Sequence, residues 1–439
     1  MTEKLTLKLF IEHQREGEYF TLPFQMPPGV ESLTLSYRYE RHRESEIDLG
    51  KGQFVGREEI NIIDLGLVAP DGAQVGASGS DKSEFVLSET SATPGYQPWP
   101  LVPGEWGILV GAYLIANGGV EVTYEISFTD KSLRLFKGDL HAHTLASDGL
   151  LTAAELGQVA LRHGLDFLAI TDHNQMVTAA ALPRVPSLTM IPGVEWTHYR
   201  GHANFLGVDK PYDPPFAVNT LEEVRLRFVS ARQRGALITI THPREGALGF
   251  SFPLEELPFD CLEVWNGPMR ESNLQALGLW QSLLEAGRKV PICGGSDFHR
   301  EGPFQFLGGP TTCVYAMSAG PSDILAALGA GHAYITDAPD GPSVELHAGD
   351  AILGDSVPWP EVSELSITVR GLHAGDILQV VTAQGSQPLL EAPTYGRFSI
   401  TYPVPGPGFA RVEILRAFLP GIPKIPALLS NPIYFDSHA

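Results

Sequence analysis

The sequence has few cysteines, no long hydrophobic run and fewer basic than acidic residues. Its three cysteines, Cys261, Cys293 and Cys313, are an odd number in apolar stretches of a 439-residue chain, which predicts reduced core residues and excludes a disulfide framework. No segment approaches the roughly 20 apolar residues that span a bilayer, and the N-terminus lacks the apolar region of a signal peptide. The net charge of −21 argues against general affinity for nucleic acid or anionic membranes. We therefore expect a soluble, cytoplasmic protein.

The length exceeds that of one ordinary domain, and the sequence pattern changes near residues 135 and 340. Alternating segments such as SLTLSYRYE and VEVTYEISF before residue 135, and GRFSITY after residue 340, are separated by turns rich in Gly and Pro. This period-two alternation predicts antiparallel sheets. We expect an N-terminal β-sandwich-like domain (1–134), a middle domain (135–340) and a C-terminal Ig-like β-domain (341–439).

The middle segment alternates between two kinds of pattern. Strand-like runs such as LDFLAITDH, GALITITHP and KVPICGGSDFH alternate with amphipathic runs such as TAAELGQVALRHG and TLEEVRLRFVSARQRG. The amphipathic runs end in Gly or a basic residue, as helices commonly do. This order predicts an α/β fold with a mostly parallel sheet, closed or nearly closed as a barrel, and helices outside it.

Side chains that can bind metal follow nearly every strand-like run of this segment. Eight of the 14 histidines lie between residues 141 and 299. The candidate groups are His141 and His143, Asp172 and His173, Glu195, His202, His242, and Asp297 and His299. Because strand C-termini converge on one mouth of a parallel α/β barrel, we expect these groups to meet there. The H-x-H spacing places both imidazoles on one strand face, and Asp148 lies in the following loop.

Imidazoles and carboxylates without sulfur suit a bridged cluster of Zn, Mn or Fe better than a closed structural zinc site. Single motifs have simpler explanations. Asp172 fits a role as a turn cap equally well, and His163 is expected to interact with a helix C-terminus. Metal binding is favoured because ligand-type residues recur at five strand ends.

The motifs HAHTLASDG, TDHN, GVEW, ITHP and GGSDFH resemble, in order and spacing, those of the PHP (polymerase and histidinol phosphatase) superfamily. The segments GVEWTHYRGHANFLG, CLEVWNG and LLSNPIYF are similar to the CehA/McbA-type branch, which includes carbaryl hydrolases and phosphoesterase-like proteins. The resemblance implies a distorted (β/α)7 barrel, here flanked by the two antiparallel β-sandwich domains. It also implies two to three divalent metal ions (Zn, Mn or Fe).

The resemblance further implies which residues hold each metal. The first metal would be held by His141, His143, Glu195 and Asp297, the second by Asp148, His173 and the bridging Glu195, and the third by His202, His242 and His299. Glu195, Asp297 and His299 are the candidate catalytic residues.

Residues next to these motifs are candidates for substrate binding. Arg244 and Arg300 each follow a histidine motif and could bind an anion bidentately, although exposed surface arginines are the alternative. Asn266 lies at another strand end and could hydrogen-bond substrate. A neutral aromatic ester would need an apolar pocket. Candidates for its lining are Trp196, Tyr199, Trp265 and Phe298, with core packing as the alternative for each.

The sequence therefore predicts a metal-dependent hydrolase that uses a metal-bridged hydroxide. The expected activity is that of a phosphoesterase, or phosphatase, on phosphate mono- or diesters of small molecules. The alternatives are a carboxylic or carbamate ester hydrolase and a metal-stabilised protein that binds carbohydrate or protein without catalysis. We expect a small-molecule phosphate or ester substrate, no general nucleic-acid binding and no membrane partner. The pattern leaves the metal, the substrate and the oligomeric state open.

Overall fold

Alternating apolar residues build the N-terminal part of the chain. The computed structural model describes residues 3–44, 50 and 56–437. The chain divides into two compact units, Met1–Ser132 and Leu133–Ala439. The described strands of the first unit are β1 (Glu3–Ile11), β2 (Tyr19–Met26), β3 (Val30–Arg38), β4 (His42–Glu44), β5 (Arg57–Glu59), β6 (Ile62–Val68), β7 (Gln74–Ser78), β8 (Glu84–Ser88), β9 (Gly104–Leu114) and β10 (Val120–Asp130), with a 3-10 helix at His13–Arg15.

This first unit contains two antiparallel four-stranded sheets, in the orders β1-β10-β3-β8 and β2-β9-β6-β7, and the separate antiparallel pair β4-β5. Both sheets contribute side chains to one core, including Leu35, Leu65, Ile108 and Tyr124. Their other faces carry polar residues such as Lys8 and Thr21 together with exposed aromatic residues such as Phe10 and Tyr113. The predicted antiparallel β-structure of this segment is confirmed.

The second unit begins with alternating strands and helices. Its elements up to residue 336 are β11 (Arg134–Asp139), α1 (Ala153–Arg162), β12 (Phe167–Ile170), β13 (Thr189–His198), β14 (Gly201–Leu206), α2 (Leu221–Gln233), β15 (Leu237–Ile240), β16 (Cys261–Asn266), α3 (Glu271–Glu285), β17 (Ile292–Gly295), β18 (Thr311–Ala316), α4 (Pro321–Gly329) and β19 (Ala333–Thr336), with 3-10 helices at Ala179–Ala181, Gly246–Leu248 and Leu254–Glu256. The predicted helices and strand-like runs are thus confirmed as elements.

Local sequence signals explain where two of the helices begin. Thr152 and Glu155 form a reciprocal capping box at α1, and Thr220 and Glu223 form the same arrangement at α2. Each box satisfies backbone N–H groups that the first helical turn leaves without partners.

Seven consecutive strands lie side by side in chain order, from β11 to β17. The residues after the first and seventh strands also meet, because the His143 N–H donates to the Phe298 carbonyl at 2.9 Å and Ala142 and Phe298 form a parallel bridge. The pairs β11–β12, β12–β13, β15–β16 and β16–β17 are parallel. The mixed α/β character is therefore confirmed, whereas the (β/α)7 barrel as such stays a prediction.

Strand β14 runs antiparallel to both of its neighbours. It follows β13 through a tight turn at Tyr199 and Arg200, with His198 opposite Gly201. No α-helix separates β12 from β13 or β15 from β16 within the described residues. The regular alternation of strand and helix is thus interrupted.

The C-terminal part is all β-structure. Its strands are β20 (Ser343–Ala348), β21 (Ala351–Ile352), β22 (Ser356–Trp359), β23 (Glu364–Leu372), β24 (Ile377–Thr382), β25 (Gly385–Glu391), β26 (Gly396–Pro403), β27 (Gly408–Arg416), β28 (Ile425–Ser430) and β29 (Ile433–Ser437). Strand β28 pairs with β19, so the large sheet continues from β17 through β11 to β25. The division at residues 340 and 341 stays a prediction.

Two further expectations from the sequence concern the cysteines, expected to be reduced core residues, and the absence of a membrane-spanning segment. All three cysteines are free and buried, and burial raises the pKa of Cys313 to about 12, so that its thiol stays protonated. In the described part of the chain no helix is both long and apolar enough to cross a membrane. The cytoplasmic location stays a prediction.

Candidate metal centre

The nine predicted ligands lie on or just after six of the seven consecutive strands. His141 and His143 follow β11, Asp148 lies farther along the same loop, and His173 follows β12. Glu195 lies on β13 and His202 on the antiparallel neighbour β14, where His202 is paired with Thr197 and its side chain reaches Glu195. His242 follows β15, and Asp297 and His299 follow β17. Because neighbouring strands are hydrogen-bonded in this order, residues separated by more than 150 positions are brought together.

The imidazoles are packed against one another at the centre of this group. The ring centroids of His143 lie 4.1 Å from His299, 4.3 Å from His173 and 5.2 Å from His141. Both His141 and His143 are fully buried. Such a cluster would be unfavourable if all rings were protonated, because like charges would be buried together.

Carboxylate oxygens of Glu195 and of Asp297 each lie close to the Nε2 atoms of both His141 and His143. The Asp297 Oδ1 atom lies 3.0 Å from His143 Nε2 and 3.4 Å from His141 Nε2. The Glu195 oxygens lie 3.4 Å from His141 Nε2 and 3.6 Å from His143 Nε2. Two ligands bound at 2.0–2.1 Å to a tetrahedral ion would be about 3.3 Å apart. The observed spacing therefore fits a bound cation.

Unpaired polar atoms provide the strongest indication that a cation fits here. The Nε2 atoms of His141 and His143 and the Oδ1 atom of Asp297 are buried and make no well-aligned hydrogen bond within the described residues. Buried polar atoms are rarely left without a partner, since this costs about 1–3 kcal/mol each. A divalent metal would satisfy all three.

The other predicted ligands form adjoining groups. His299 Nε2 lies 3.2 Å and His173 Nε2 3.7 Å from the Asp148 carboxylate. His202 Nδ1 and His242 Nε2 lie 3.0 Å and 3.2 Å from Glu195 Oε1. The sets whose ligand atoms all lie within 4.8 Å of one another are His143, Asp148, His173 and His299; His141, His143 and Glu195; His141, His242 and Asp297; and His173, Glu195 and His202.

This grouping differs from the assignment implied by the resemblance. His299 joins Asp148 and His173 rather than His202 and His242. Glu195 contacts the largest number of imidazoles, in agreement with its predicted bridging position. The assignment of each ligand to a particular metal stays a prediction.

Charge keeps the carboxylates ionised. Burial lowers the pKa of His141, but the charges of Asp297, Glu263 and Glu195 outweigh burial and hold this pKa well above its usual value. Burial likewise raises the pKa of Glu195 and Asp297, yet the surrounding imidazoles, His141 above all, bring both pKa values below their normal range. The pKa of His143 is lowered, mainly by burial. The centre is thus a buried set of anions able to attract cations.

Backbone strain also marks the site. His242 has φ +27° and Asp297 has φ +50°, a region that residues other than glycine seldom adopt. Such strain is found where the surrounding structure imposes it, often at functional sites. At His242 the restraint is visible, because its backbone N–H donates to Glu263 at 2.9 Å.

Two buried carboxylates, Glu263 and Asp139, support the site and were not predicted. Glu263 accepts hydrogen bonds from His141 Nδ1 at 3.0 Å and from Asn266. Asp139 accepts the N–H groups of His141, Ser296 and Gly308 and thereby joins the residues after β11 and β17. Their sequence signal was an acidic residue within or at the end of an apolar strand.

Asp172 organises the first loop. Its carboxylate accepts hydrogen bonds of 2.7 Å from the N–H and the hydroxyl group of Thr144 and from Ser147. A role in shaping a turn was the alternative considered for this residue, and these contacts agree with it.

The three residues predicted to contact substrate differ from one another in their burial and in their hydrogen-bond partners. Arg244 and Arg300 are exposed, and no described residue pairs with either guanidinium. Asn266 is buried, and its amide donates to Glu263 and Asp297, so it orients carboxylates. Arg270 donates to Asn266 at 2.9 Å and is a nearby cation that the sequence pattern did not single out.

Three of the aromatic candidates are core residues. Trp196, Trp265 and Phe298 are at most 2% exposed. Tyr199 is 77% exposed. Core packing therefore describes the first three.

Part of this chain is similar in sequence to known proteins. It is 28% identical over 162 residues to DNA polymerase/3'-5' exonuclease PolX of Bacillus subtilis, covering 34% of this chain and 26% of the relative. It is 34% identical over 105 residues to 3',5'-nucleoside bisphosphate phosphatase of Chromobacterium violaceum, covering 22% of this chain and 36% of the relative. The chain thus spans only about a quarter to a third of the length of these curated relatives. No protein-family model matches it.

A solved two-domain protein of Bacteroides vulgatus, described as containing a PHP-like metal-dependent phosphoesterase, has 16% sequence identity and a TM-score of 0.40. The similarity covers 69% of this chain and 97% of that protein. The resemblance to the PHP superfamily is confirmed. The CehA/McbA-type branch stays a prediction.

Proposed function

We propose that this chain is a metal-dependent phosphoesterase that hydrolyses mono- or diesters of small molecules. The proposal rests chiefly on the buried Nε2 atoms of His141 and His143 and the Oδ1 atom of Asp297, which lack hydrogen bonds and have the spacing of metal ligands. The relatives named as a phosphatase and an exonuclease favour phosphate esters as the substrate class.

We infer that β11 to β17 form the predicted distorted (β/α)7 barrel. Their spatial order and the hydrogen bond between His143 and Phe298 support closure. The nine ligand-type residues fit two to three divalent ions, and their imidazoles and carboxylates accept Zn, Mn or Fe. Bound cations would polarise the phosphoryl oxygen and lower the pKa of a coordinated water to about 7.

The chain's own residues would divide the remaining tasks by their position. Glu195 is fully buried among five imidazoles, so its carboxylate fixes the relative positions of the ligands. Asp297 is oriented by Asn266 on one side and approaches His143 on the other.

His299 is the candidate for proton transfer to the leaving group. It lies on the accessible side of the centre, with its side chain 25% exposed. Its Nδ1–H donates to the Asp297 carbonyl at 2.8 Å, which turns Nε2 toward the Asp148 carboxylate at 3.2 Å. A group of this kind must lie within hydrogen-bond reach of the substrate and keep access to solvent protons.

A substrate panel tests the proposed activity. Protein loaded with Mn²⁺ would be assayed on p-nitrophenyl phosphate, bis-p-nitrophenyl phosphate and p-nitrophenyl acetate, with the Asp297→Asn variant as the control for contaminating enzymes. We expect turnover of at least one phosphate ester, loss of that turnover in the variant, and little acetate hydrolysis. Hydrolysis of the acetate alone would support the carboxylic ester alternative. Metal binding without any turnover would support a binding protein.

A further inference from the structure

A cavity of about 500 Å³ lies beside the candidate metal centre. His173 and His202 form the wall that it shares with the centre, since both also belong to one of the ligand groups with Glu195. Residues 197–199 after β13, residues 216–219 before α2 and Leu248 form the rest of the lining. A molecule with one end at the metals would extend into this space.

The lining of the cavity contains no carboxylate, ammonium or guanidinium group among the described residues. This is unusual beside a centre rich in carboxylates, in a chain with a net charge of −21. Three large apolar side chains, Tyr199, Phe216 and Leu248, are 77%, 45% and 49% exposed there. Single exposed apolar residues are common, but several around one concave surface are typical of a ligand site.

Side-chain hydrogen bonds hold the walls in place. Trp196 Nε1 donates to the Phe216 carbonyl at 3.0 Å and ties the loop before α2 to β13. The backbone N–H of Arg200 donates to His198 Nδ1, so His198 Nε2 carries the proton and donates to the Val218 carbonyl at 3.3 Å. The cavity is therefore built into the fold.

Ring stacking completes one wall. The centroid of His198 lies 5.4 Å from Trp196 with nearly parallel planes, and 4.3 Å from Tyr199. Both ring nitrogens of His198 are used in hydrogen bonds to the backbone. His198 is thus a fixed flat surface, which favours contact with a ring in the substrate.

We propose that this cavity binds the alcohol part of the substrate and selects a neutral group that bears a ring. The proposal rests on the proposed phosphoesterase activity, because the phosphate would lie at the metals beyond His173 and His202. A charged group would lose its hydration in the cavity without gaining a charged partner, which costs free energy. A neutral ring would instead bury apolar surface against Tyr199, Phe216 and Leu248.

Two aryl phosphates that differ by a para carboxylate test this selection. The metal-loaded protein would be assayed on phenyl phosphate and 4-carboxyphenyl phosphate, and kcat/KM for phenyl phosphate is expected to be about tenfold higher or more. Leu248→Lys places a cation in the cavity and should shift this ratio toward the carboxylate by about tenfold, mainly through KM. Phe216→Lys provides the same change from a different loop.

The matched control is Leu226→Lys. Leu226 is an exposed leucine of α2, 50% exposed, and does not line the cavity. This control variant should keep the wild-type ratio. Equal kcat/KM values for both substrates, unchanged by either cavity variant, would overturn the proposal.

A binding measurement distinguishes an absence of phosphoesterase activity from an absence of the proposed selectivity of the cavity. If wild-type protein hydrolyses neither ester, binding of phenylphosphonate and 4-carboxyphenylphosphonate to metal-loaded protein would be measured by calorimetry. Tighter binding of the neutral compound, reduced about tenfold by Leu248→Lys but not by Leu226→Lys, would support the cavity without the activity. Equal binding of both compounds in all proteins would overturn the proposal.

Discussion

At the residue scale, one buried carboxylate connects three predicted ligands although it is not one of them. Glu263 accepts hydrogen bonds from His141 Nδ1, from the backbone N–H of His242 and from the Asn266 amide that also contacts Asp297. By holding the proton of His141 on Nδ1, it leaves Nε2 free for a metal. Partners of this kind fix the tautomer and orientation of metal-binding histidines.

The variant Glu263→Gln should therefore bind metal about 10–100-fold more weakly, as found when such supporting groups are lost. Its affinity would be measured by competition with a chromogenic chelator. The matched control is Glu271→Gln, because the Glu271 carboxylate is exposed and accepts a hydrogen bond from Gln275 on α3 instead of from a ligand. Equal affinities of Glu263→Gln and wild-type protein would show that Glu263 does not position His141.

The pKa of His141 predicts that protons and metals compete. The surrounding carboxylates raise this pKa well above its usual value and so favour the protonated form of His141 in metal-free protein. Its protonation stabilises the metal-free fold below the ordinary histidine pKa of about 6.5, and this contribution is lost as pH rises through the raised pKa.

Metal binding at pH 7 should consequently release protons, and metal affinity should fall as the pH is lowered. Calorimetric titrations in buffers of different ionisation enthalpy measure the number of protons released. A binding enthalpy that is the same in every buffer would contradict the raised pKa.

At the element scale, close packing between strands positions the ligands. A Cβ atom on Gly295, at the end of β17, would lie 2.4 Å from the Cβ atom of His141 and 2.8 Å from Glu263 Oε1. The absence of a side chain thus lets the seventh strand approach the residues after the first.

Gly295→Ala should destabilise the protein by about 1–3 kcal/mol through overpacking, and it should weaken metal binding by displacing His141. Gly278→Ala is the matched control, because Gly278 lies in α3 with open space around its Cα and alanine favours a helix by about 1 kcal/mol. Denaturant unfolding would compare the two variants. A Gly295→Ala variant as stable as wild type would refute the close contact.

Most residues of the candidate metal centre could be predicted from the sequence, because residues of the types that bind metals recur at strand ends. The nine predicted ligands were recognisable as polar groups that follow apolar runs, and the structure brings their ligand atoms together. Glu263 was harder to recognise, since a strand pattern does not show which buried carboxylate faces which imidazole. The antiparallel direction of β14 depends on the short turn at Tyr199 and Arg200, which carries no glycine or proline signal before Gly201.

At the scale of the whole molecule, the net charge of the chain has the same sign as the charge of its proposed substrates. The chain carries a charge of −21, and its proposed substrates are anions. Exposed arginines such as Arg244 and Arg300 are candidates to offset this repulsion locally. Selection of small substrates over polyanionic nucleic acid stays a prediction.

Salt should therefore increase kcat/KM for a phosphate monoester, because screening reduces the repulsion between the chain and the substrate. Initial rates would be measured at substrate concentrations below KM over a range of ionic strength. The diester of the same alcohol carries less negative charge, so its rate should respond less to salt. A decrease with added salt would instead show that local cations dominate the approach of the substrate.

The central claim is that phosphate ester hydrolysis depends on metals held by the nine ligands. Protein stripped with chelator would be titrated with Mn²⁺, Zn²⁺ or Fe²⁺ while phosphate release from p-nitrophenyl phosphate is followed. We predict no turnover in the stripped protein and a rise that saturates at two to three equivalents of at least one metal per chain. Turnover that survives complete metal removal would contradict the claim.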